Sequence, residues 1–204
     1  MLNVANNKKK NFIKDAAVLC VITLVAGALL GVVNELTKGP IEQAKLNAKT
    51  SAYKAVYDGV DFAESEEFNA YIASDAYTSA LANAGVDKAA VTEGFTAVDD
   101  SGAVVGYVMS STTKGGYGGD ITISIGVTKE GQVTGIEFLL INESPGLGMN
   151  AKDKPEWRTQ YYGKDVAMFS VGSDIDALSG ATITSKAVTN AVNAALVLVS
   201  EFGG

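Results

Sequence analysis

The first part of the chain carries a hydrophobic pattern typical of a membrane anchor. Residues 16–33 form an apolar run of 18 positions in which Thr23 is the only polar side chain. A helix rises about 1.5 Å per residue, so this run spans roughly 27 Å, close to the roughly 30 Å hydrocarbon core of a bilayer. We therefore predict a tail over residues 1–15 and a single transmembrane helix over residues 16–36.

A buried core helix and a cleaved leader are the alternatives to this anchor. No comparably apolar surroundings precede the run, which disfavours a core helix. A signal peptide also joins a basic segment to an apolar one, but the Ala-Gly-Ala triplet at residues 26–28 lies inside the run and is poorly placed for cleavage. A lipoprotein signal fits badly because Leu19, before Cys20, is too large. An uncleaved anchor is the better interpretation.

Charges on either side of the anchor predict its orientation. Four lysines precede the anchor within residues 8–14, whereas the lysines that follow it are interleaved with Glu35 and Glu42. The positive-inside rule therefore favours a cytoplasmic N-terminus in a single-pass cell-membrane protein. The remainder of the chain carries 12 basic and 22 acidic residues, a charge of -10, and is expected to be extracytoplasmic.

After the anchor, the spacing of apolar positions predicts first a helix and then a sheet. Pro40 suits a first helical turn, and three- and four-residue steps extend that new helix to about residue 57. Residues 58–91 show little pattern, and we assign 37–90 to a membrane-proximal helical segment. From residue 94, apolar and polar positions alternate as in half-buried strands. The predicted strands are 94–98, 103–109, 121–128 and 132–140, which form two antiparallel hairpins.

The last part of the chain completes the predicted domain. Residues 186–199 have the apolar face of a helix that packs on a sheet. The predicted fold class is therefore α+β: one N-terminal transmembrane helix, then an antiparallel sheet with flanking helices in a domain of residues 91–204.

Composition excludes several kinds of chemistry. The 204 residues include no histidine and one cysteine, so the chain has no imidazole acid-base group, HExxH sequence, internal disulfide or cysteine set for an iron-sulfur cluster. We predict no catalytic residue and no metal site, and redox chemistry would need a bound cofactor. With 16 basic and 23 acidic residues, the chain is not expected to bind nucleic acid.

Three polar, glycine-bearing loops are the candidates for a binding site. Residues 114–120 place Tyr117 among four glycines, residues 142–149 follow a strand, and residues 176–185 lead into the last helix. A flexible connection, a plain turn and a helix cap are the simpler interpretations. A cap needs one hydroxyl, however, and the third loop supplies Ser179, Thr182, Thr184 and Ser185. A helix start also favours an anion such as phosphate, although the chain lacks the P-loop sequence.

The third loop resembles a known flavin-attachment motif. Its sequence from 176 to 182, Asp-Ala-Leu-Ser-Gly-Ala-Thr, is similar to the Asp-x-x-(Ser/Thr)-Gly-Ala-(Thr/Ser) motif of FMN-binding domains in the RnfG and NqrC families. Residues 143–148 resemble the family's Glu-Thr-Pro-Gly-Leu-Gly loop, with Ser144 in place of threonine. The loop 116–120, the segment 157–164 and the single N-terminal span add to the resemblance.

The resemblance implies a covalent cofactor and assigns its contacts. A flavin transferase would join FMN by a phosphoester to Thr182, and Asp176 would serve recognition or metal positioning during attachment. The phosphate pocket would be shaped by Ser179, Gly180, Ala181 and Ser185. The isoalloxazine would be bordered by Glu143, Ser144, Leu147 and Gly148, and Tyr117 is a further expected cofactor contact.

The function that the resemblance implies is electron transfer within a membrane complex. RnfG is favoured: a flavinylated subunit of an ion-translocating ferredoxin:NAD+ oxidoreductase, with the other Rnf subunits, the lipid bilayer and a flavin transferase as partners. Activity would belong to the assembled complex, so this chain is not expected to catalyse alone. The alternatives are an NqrC-like subunit of a sodium-translocating NADH:quinone oxidoreductase, a tethered binding module without a cofactor, and a stand-alone flavinylated extracellular reductase, which would need a substrate pocket that the sequence does not identify.

Overall fold

The computed structural model describes residues 2–203, and its side-chain description omits 2–13, 15, 17, 41–43, 45 and 46. The chain divides into two compact units, Met1–Asn47 and Ala48–Gly204. The segment expected over 37–90 straddles this division, and the domain limits taken from the sequence stay a prediction.

A long helix, α1, covers Leu2–Val56. The new helix predicted to begin at Pro40 is instead a continuation of α1, because an internal proline removes one hydrogen bond and can leave the flanking turns helical. Within residues 2–203, two helical stretches are long and apolar enough to cross a membrane. Val18–Pro40 is fully exposed, whereas 78% of an 18-residue stretch of Thr182–Phe202 is buried, so the first is the expected apolar N-terminal helix.

The second unit is built on a five-stranded antiparallel sheet of order β1-β2-β3-β4-β5. The strands are β1 Asp61–Ala63, β2 Ala89–Val98, β3 Val104–Thr113, β4 Ile121–Thr128 and β5 Val133–Leu140. The predicted α+β class is confirmed. Three details differ from the prediction: β2 begins five residues before position 94, β3 extends to Thr113 and does not end at residue 109, and β1 forms in a segment expected to be helical. A strand of three residues is too short to show alternation.

One face of the sheet packs against the last helix, α6, which covers Thr182–Phe202. The alternating side chains of β4 that were predicted to be buried, from Ile121 to Val127, belong to this core with 0% exposure. The apolar positions of α6, including Val188, Val192 and Leu198, are buried with them. The strand and helix periods read from the sequence therefore identified this interface.

The end of α1 packs on the other face of the sheet. Tyr53 and Val56 form a smaller cluster with Ala97 and Val108. Gly135 makes the close approach possible, because a Cβ there would lie 2.7 Å from the Cα atom of Val56. The residues from Ala48 to Val56 are thus part of the folded domain.

The weakly patterned segment between α1 and β2 contributes two short helices to the core. These are α2, Glu66–Ile72, and α3, Asp75–Asn83, capped by the Ser65 and Ser74 side chains. The buried Tyr77 hydroxyl donates to the Ala194 carbonyl (2.9 Å) and accepts from the Val91 N–H (3.0 Å), joining α3 to α6 and β2.

The outer edge of β5 is partly closed by the segment that follows it. This segment comprises α4, Asn150–Asp153, α5, Pro155–Arg158, and a 3₁₀ turn, Thr159–Tyr161. The Ile136 N–H donates to the Tyr162 hydroxyl (3.2 Å), and Arg158 Nη1 donates to the Ile136 carbonyl (3.0 Å). Both backbone groups of Ile136 are therefore paired by side chains.

Candidate cofactor site

The three predicted loops converge on one cavity of about 470 Å³. The first loop joins β3 to β4, the second follows β5, and the third precedes α6. Distant parts of the chain thus meet at one end of the sheet, where β3 and β5 end and β4 begins. The residues that line the cavity are Tyr117, Glu143, Ser144, Leu147, Gly148, Gly180, Ala181, Thr182, Ile183 and Thr184.

Glu143 ties the first loop to the second. Its side chain is buried, and its Oε1 atom accepts hydrogen bonds from the N–H groups of Tyr117 (2.8 Å) and Gly118 (3.2 Å). These two bonds fix the backbone on which the exposed Tyr117 ring stands. Tyr117 therefore owes its position at the cavity to a residue 26 positions further along the chain.

Glycine is required where the second loop meets the start of α6. A Cβ on Gly148 would lie 2.6 Å from Thr184 Oγ1 and 2.7 Å from Glu143 Oε2. Such distances are closer than real Cβ atoms approach oxygen, so a larger residue would push the two loops apart. The glycine of the second loop therefore sets the spacing between Glu143 and the helix.

The last helix starts four residues earlier than the sequence predicts, with Thr182 as its first residue. The cap position is Ala181, which has no side-chain hydrogen bond, so the hydroxyls of this loop do not cap α6 in the usual way. Within the described part of the chain, no acceptor is recorded for the N–H groups of residues 182–184. Residues 182–184 line the cavity, so the start of α6, with its positive dipole end, lies at the cavity wall, where an anion is stabilised.

Ser185 shapes the third loop from inside. Its hydroxyl accepts from the Leu178 N–H (2.9 Å) and donates to the Ala181 carbonyl (3.0 Å), and the residue is fully buried. The intervening turn passes through Gly180 with φ of +71°, a backbone conformation that favours glycine. Ser185 therefore closes the loop without lining the cavity.

Two further predicted residues also lie outside the cavity wall. Ser179 and Asp176 have exposed side chains on the third loop. The Asp176 backbone is held on both sides, since its carbonyl accepts from Trp157 Nε1 (2.8 Å) and its N–H donates to Gln160 Oε1 (2.8 Å). The segment 157–164, which the resemblance includes, thus supports the loop.

Ile183 and Thr184 line the cavity although the sequence did not assign them to the site. The Thr184 hydroxyl was noted only as part of the third loop, and no signal identified Ile183. The cavity mouth is apolar: Tyr117 is 72% exposed, Ile183 54% and Leu147 45%. Within residues 48–203, the only other exposed large hydrophobic side chain is Leu140, at the end of β5. Such a concentration indicates a surface that another molecule covers.

The donor set fits an aromatic phosphate ester better than a metal ion. Unpaired N–H groups and the exposed Thr182 hydroxyl lie at one part of the cavity wall, and large apolar side chains form its mouth. In the described residues, no group of three or more metal-ligating side chains is present. A flavin mononucleotide has the matching halves, a phosphate and an extended aromatic ring system.

Comparison with known proteins identifies the two parts of the chain. Residues 116–197 match the FMN-binding domain, and residues 1–56 match the RnfG N-terminal region. Fold and site thus define an FMN-binding domain that follows an apolar N-terminal helix.

Relatives of known name extend over most of the chain. Over 189 residues it is 32% identical to the G subunit of the Na(+)-translocating ferredoxin:NAD(+) oxidoreductase complex of Acetobacterium woodii, covering 88% of this chain and 87% of the relative. It is 30% identical over 196 residues to the G subunit of the ion-translocating oxidoreductase complex of Escherichia coli K12, covering 91% and 90%. The G subunit of the proton-translocating ferredoxin:NAD(+) oxidoreductase complex of Clostridium ljungdahlii is 41% identical over 106 residues, covering 49% and 56%. The chain belongs to the RnfG family, as predicted.

Proposed function

We propose that this protein is the FMN-carrying electron-transfer subunit of an ion-translocating ferredoxin:NAD+ oxidoreductase complex. The observation that carries the proposal is the convergence of all three predicted loops on one cavity within the matched FMN-binding domain. Bound FMN supplies the ability to accept two electrons and release them singly. The residues of this chain hold and surround that group, and turnover belongs to the assembled complex with the other Rnf subunits.

The finer proposal is that FMN is attached covalently at Thr182. The Thr182 side chain is exposed in the cavity wall at the first position of α6. A phosphoester bond would join its Oγ1 atom to the FMN phosphorus, with formal loss of one water. The adjacent helix-start N–H groups would offset the charge of the remaining phosphate oxygens. Such an anchor keeps the cofactor in a domain that faces a compartment where free FMN is scarce.

The other predicted residues receive roles that follow from their positions. Gly180 and Ala181 line the cavity beside Thr182, and Ser185 fixes the turn that contains them. Glu143, Ser144, Leu147, Gly148 and Tyr117 line the part of the cavity proposed for the isoalloxazine ring. The exposed Ser179 and Asp176 side chains are accessible to the flavin transferase that would perform the attachment.

The exposed apolar helix supports a membrane location for this protein. We place Val18–Pro40 across the bilayer, with the tail of lysines on the cytoplasmic side and the FMN-binding domain on the opposite side. Labelling of single cysteines introduced on either side of Val18–Pro40 in intact cells, after Cys20→Ser, tests this orientation. Protection of the domain and labelling of the tail from outside would contradict it.

The decisive experiment is mass spectrometry of the denatured protein after co-expression with a flavin transferase. We expect a fluorescent band and a mass increase equal to FMN less one water, located on the peptide that contains Thr182. Thr182→Val removes the hydroxyl and keeps the shape, so it should abolish the increase. Ser173→Ala is the control, because it removes an exposed hydroxyl from the turn before the motif and should leave the attachment intact.

The alternatives predict different results. An unmodified, non-fluorescent chain beside an active transferase would contradict covalent attachment, and absence of any bound flavin would favour the cofactor-free binding module. An NqrC-like protein would carry the same modification but would co-purify with the components of a quinone-reducing complex. The relatives that cover most of the chain are G subunits of ion-translocating oxidoreductase complexes, which favours Rnf partners.

A further inference from the structure

The Glu143 carboxylate is the centre of the site, around which the first two loops are packed. Its Oε1 atom accepts the Tyr117 and Gly118 N–H groups, and a Cβ on Gly116 would lie 2.9 Å from the same atom. Its Oε2 atom faces Gly148, where a Cβ would lie 2.7 Å away. Gly116 and Gly148, one in each loop, therefore leave room for this side chain.

The two carboxylate oxygens have different surroundings. Oε1 is engaged by the first loop, whereas no hydrogen-bond partner is recorded for Oε2 within the described residues, and the side chain lines the cavity. The lining residues include no lysine or arginine, so no cation in the wall neutralises this charge. Glu143 as a residue is only 7% exposed, so its charge acts through a medium less polarisable than water, where its field is weakly screened.

We propose that Glu143 is a positioning residue with a second, electrostatic role: it holds the Tyr117 loop against the cavity, and its fixed charge lowers the reduction potential of the flavin. This inference rests on the proposed binding of FMN in the cavity. Adding electrons beside a fixed negative charge costs free energy, so the oxidised state is favoured. The hydrogen bonds to Tyr117 and Gly118 are independent of the cofactor and can be tested without it.

Two substitutions of Glu143 separate the effect of its side-chain length from the effect of its negative charge. Glu143→Gln keeps the side-chain length and an oxygen that can accept both N–H groups, but it removes the charge. Glu143→Asp keeps the charge but is one methylene shorter and cannot reach both donors. Glu201→Gln is the control for charge alone, because Glu201 lies at the far end of α6, about 28 Å along the helix from Thr182.

The first measurement is amide hydrogen exchange of the unmodified full-length protein in detergent, with Thr182→Val as background. We expect the Tyr117 and Gly118 amides to exchange roughly tenfold faster or more in Glu143→Asp, since a hydrogen bond to a carboxylate is lost, and at a rate between the parent and Glu143→Asp in Glu143→Gln, whose neutral oxygen still accepts both N–H groups. Equal protection in the parent and in Glu143→Asp would overturn the positioning role. This result does not depend on whether FMN binds.

The second measurement is the midpoint potential of the flavin in the full-length modified protein by spectroscopic titration. We expect Glu143→Gln to raise the potential, while Glu201→Gln leaves it at the parent value and Glu143→Asp stays below Glu143→Gln. Equal potentials for the parent and Glu143→Gln would overturn the electrostatic role. A parent protein without flavin would instead refute the proposed function, and the exchange measurement would still decide the positioning role.

Discussion

Ser185 gives the sharpest test of how the third loop is held in place. Its hydroxyl is the acceptor recorded for the Leu178 N–H (2.9 Å) and also a donor to the Ala181 carbonyl (3.0 Å). We predict that Ser185→Ala destabilises the domain and lowers the extent of flavin attachment at Thr182. The loop would lose the bond that closes it, and Thr182, the proposed attachment residue, lies between the two residues that this bond joins.

The size of the destabilisation in Ser185→Ala follows from the number of backbone groups that lose a hydrogen-bond partner. The Ala181 carbonyl keeps its bond from the Ser185 N–H (3.0 Å), so only the Leu178 N–H is left unpaired. Leu178 is buried, and leaving one buried donor without a partner costs about 1–3 kcal/mol. We therefore expect the free energy of unfolding to fall by that amount and not by twice that amount.

The assay is urea unfolding of the unmodified full-length protein in detergent, followed by fluorescence of its single tryptophan. Trp157 donates to the Asp176 carbonyl (2.8 Å), so the signal reports on the same loop. Flavin attachment is measured in parallel by mass after co-expression with the transferase.

The exposed Ser179 provides the control for this experiment. Ser179→Ala removes a hydroxyl from the same loop and should change the free energy of unfolding by less than about 0.5 kcal/mol. A Ser185→Ala protein as stable as Ser179→Ala, with full attachment, would refute the claim that the buried hydroxyl determines the loop.

Three further predictions concern the body of the domain and are checked by the same unfolding measurement. Tyr77→Phe should cost about 1–3 kcal/mol because it removes a buried hydroxyl that pairs two backbone groups, and a change within error would contradict that role. Gly135→Ala should cost about 1–3 kcal/mol, since its Cβ would lie 2.7 Å from the Cα atom of Val56; an equally stable variant would show that α1 is not packed tightly there. Burial raises the pKa of the Glu93 carboxyl, but hydrogen bonds, first among them that from Lys49, outweigh burial and hold its pKa below the ordinary 4.5. Stability from this carboxyl is therefore complete above pH 4.5 and is lost as pH falls through the lowered pKa, and an unchanged acid profile in Glu93→Gln would refute this.

Where side chains alternate or repeat over many residues, the sequence was enough to predict the fold. The buried face of β4 and the apolar face of α6 follow directly from their periods. The helix start at Thr182 could not be found in this way, because it depends on the bond between Ser185 and the preceding loop. The strand Asp61–Ala63 exists because β2 offers it a paired edge, which its own three residues do not reveal.

The candidate site also contains residues that the sequence motifs identified and residues whose position depends on packing. Motif resemblance identified eight of the ten residues that line the cavity, since the motifs lie in the loops that build it. Ile183 was missed because α6 begins earlier than predicted, and this early start places Ile183 at the cavity mouth. Ser185 was included for its hydroxyl, yet that hydroxyl points into the protein and acts on the loop. Which side of a short turn a residue occupies depends on long-range packing.

The pairing of Ile136 by Tyr162 and Arg158 bears on solubility. An open strand edge is a template on which a strand from a second molecule can assemble, and that step initiates many aggregates. Here an incoming strand would first have to displace two side chains from the backbone it needs. At Ile136 the outer edge of β5 is therefore protected against pairing with a strand from a second molecule. Loss of either side chain should be visible first as concentration-dependent light scattering.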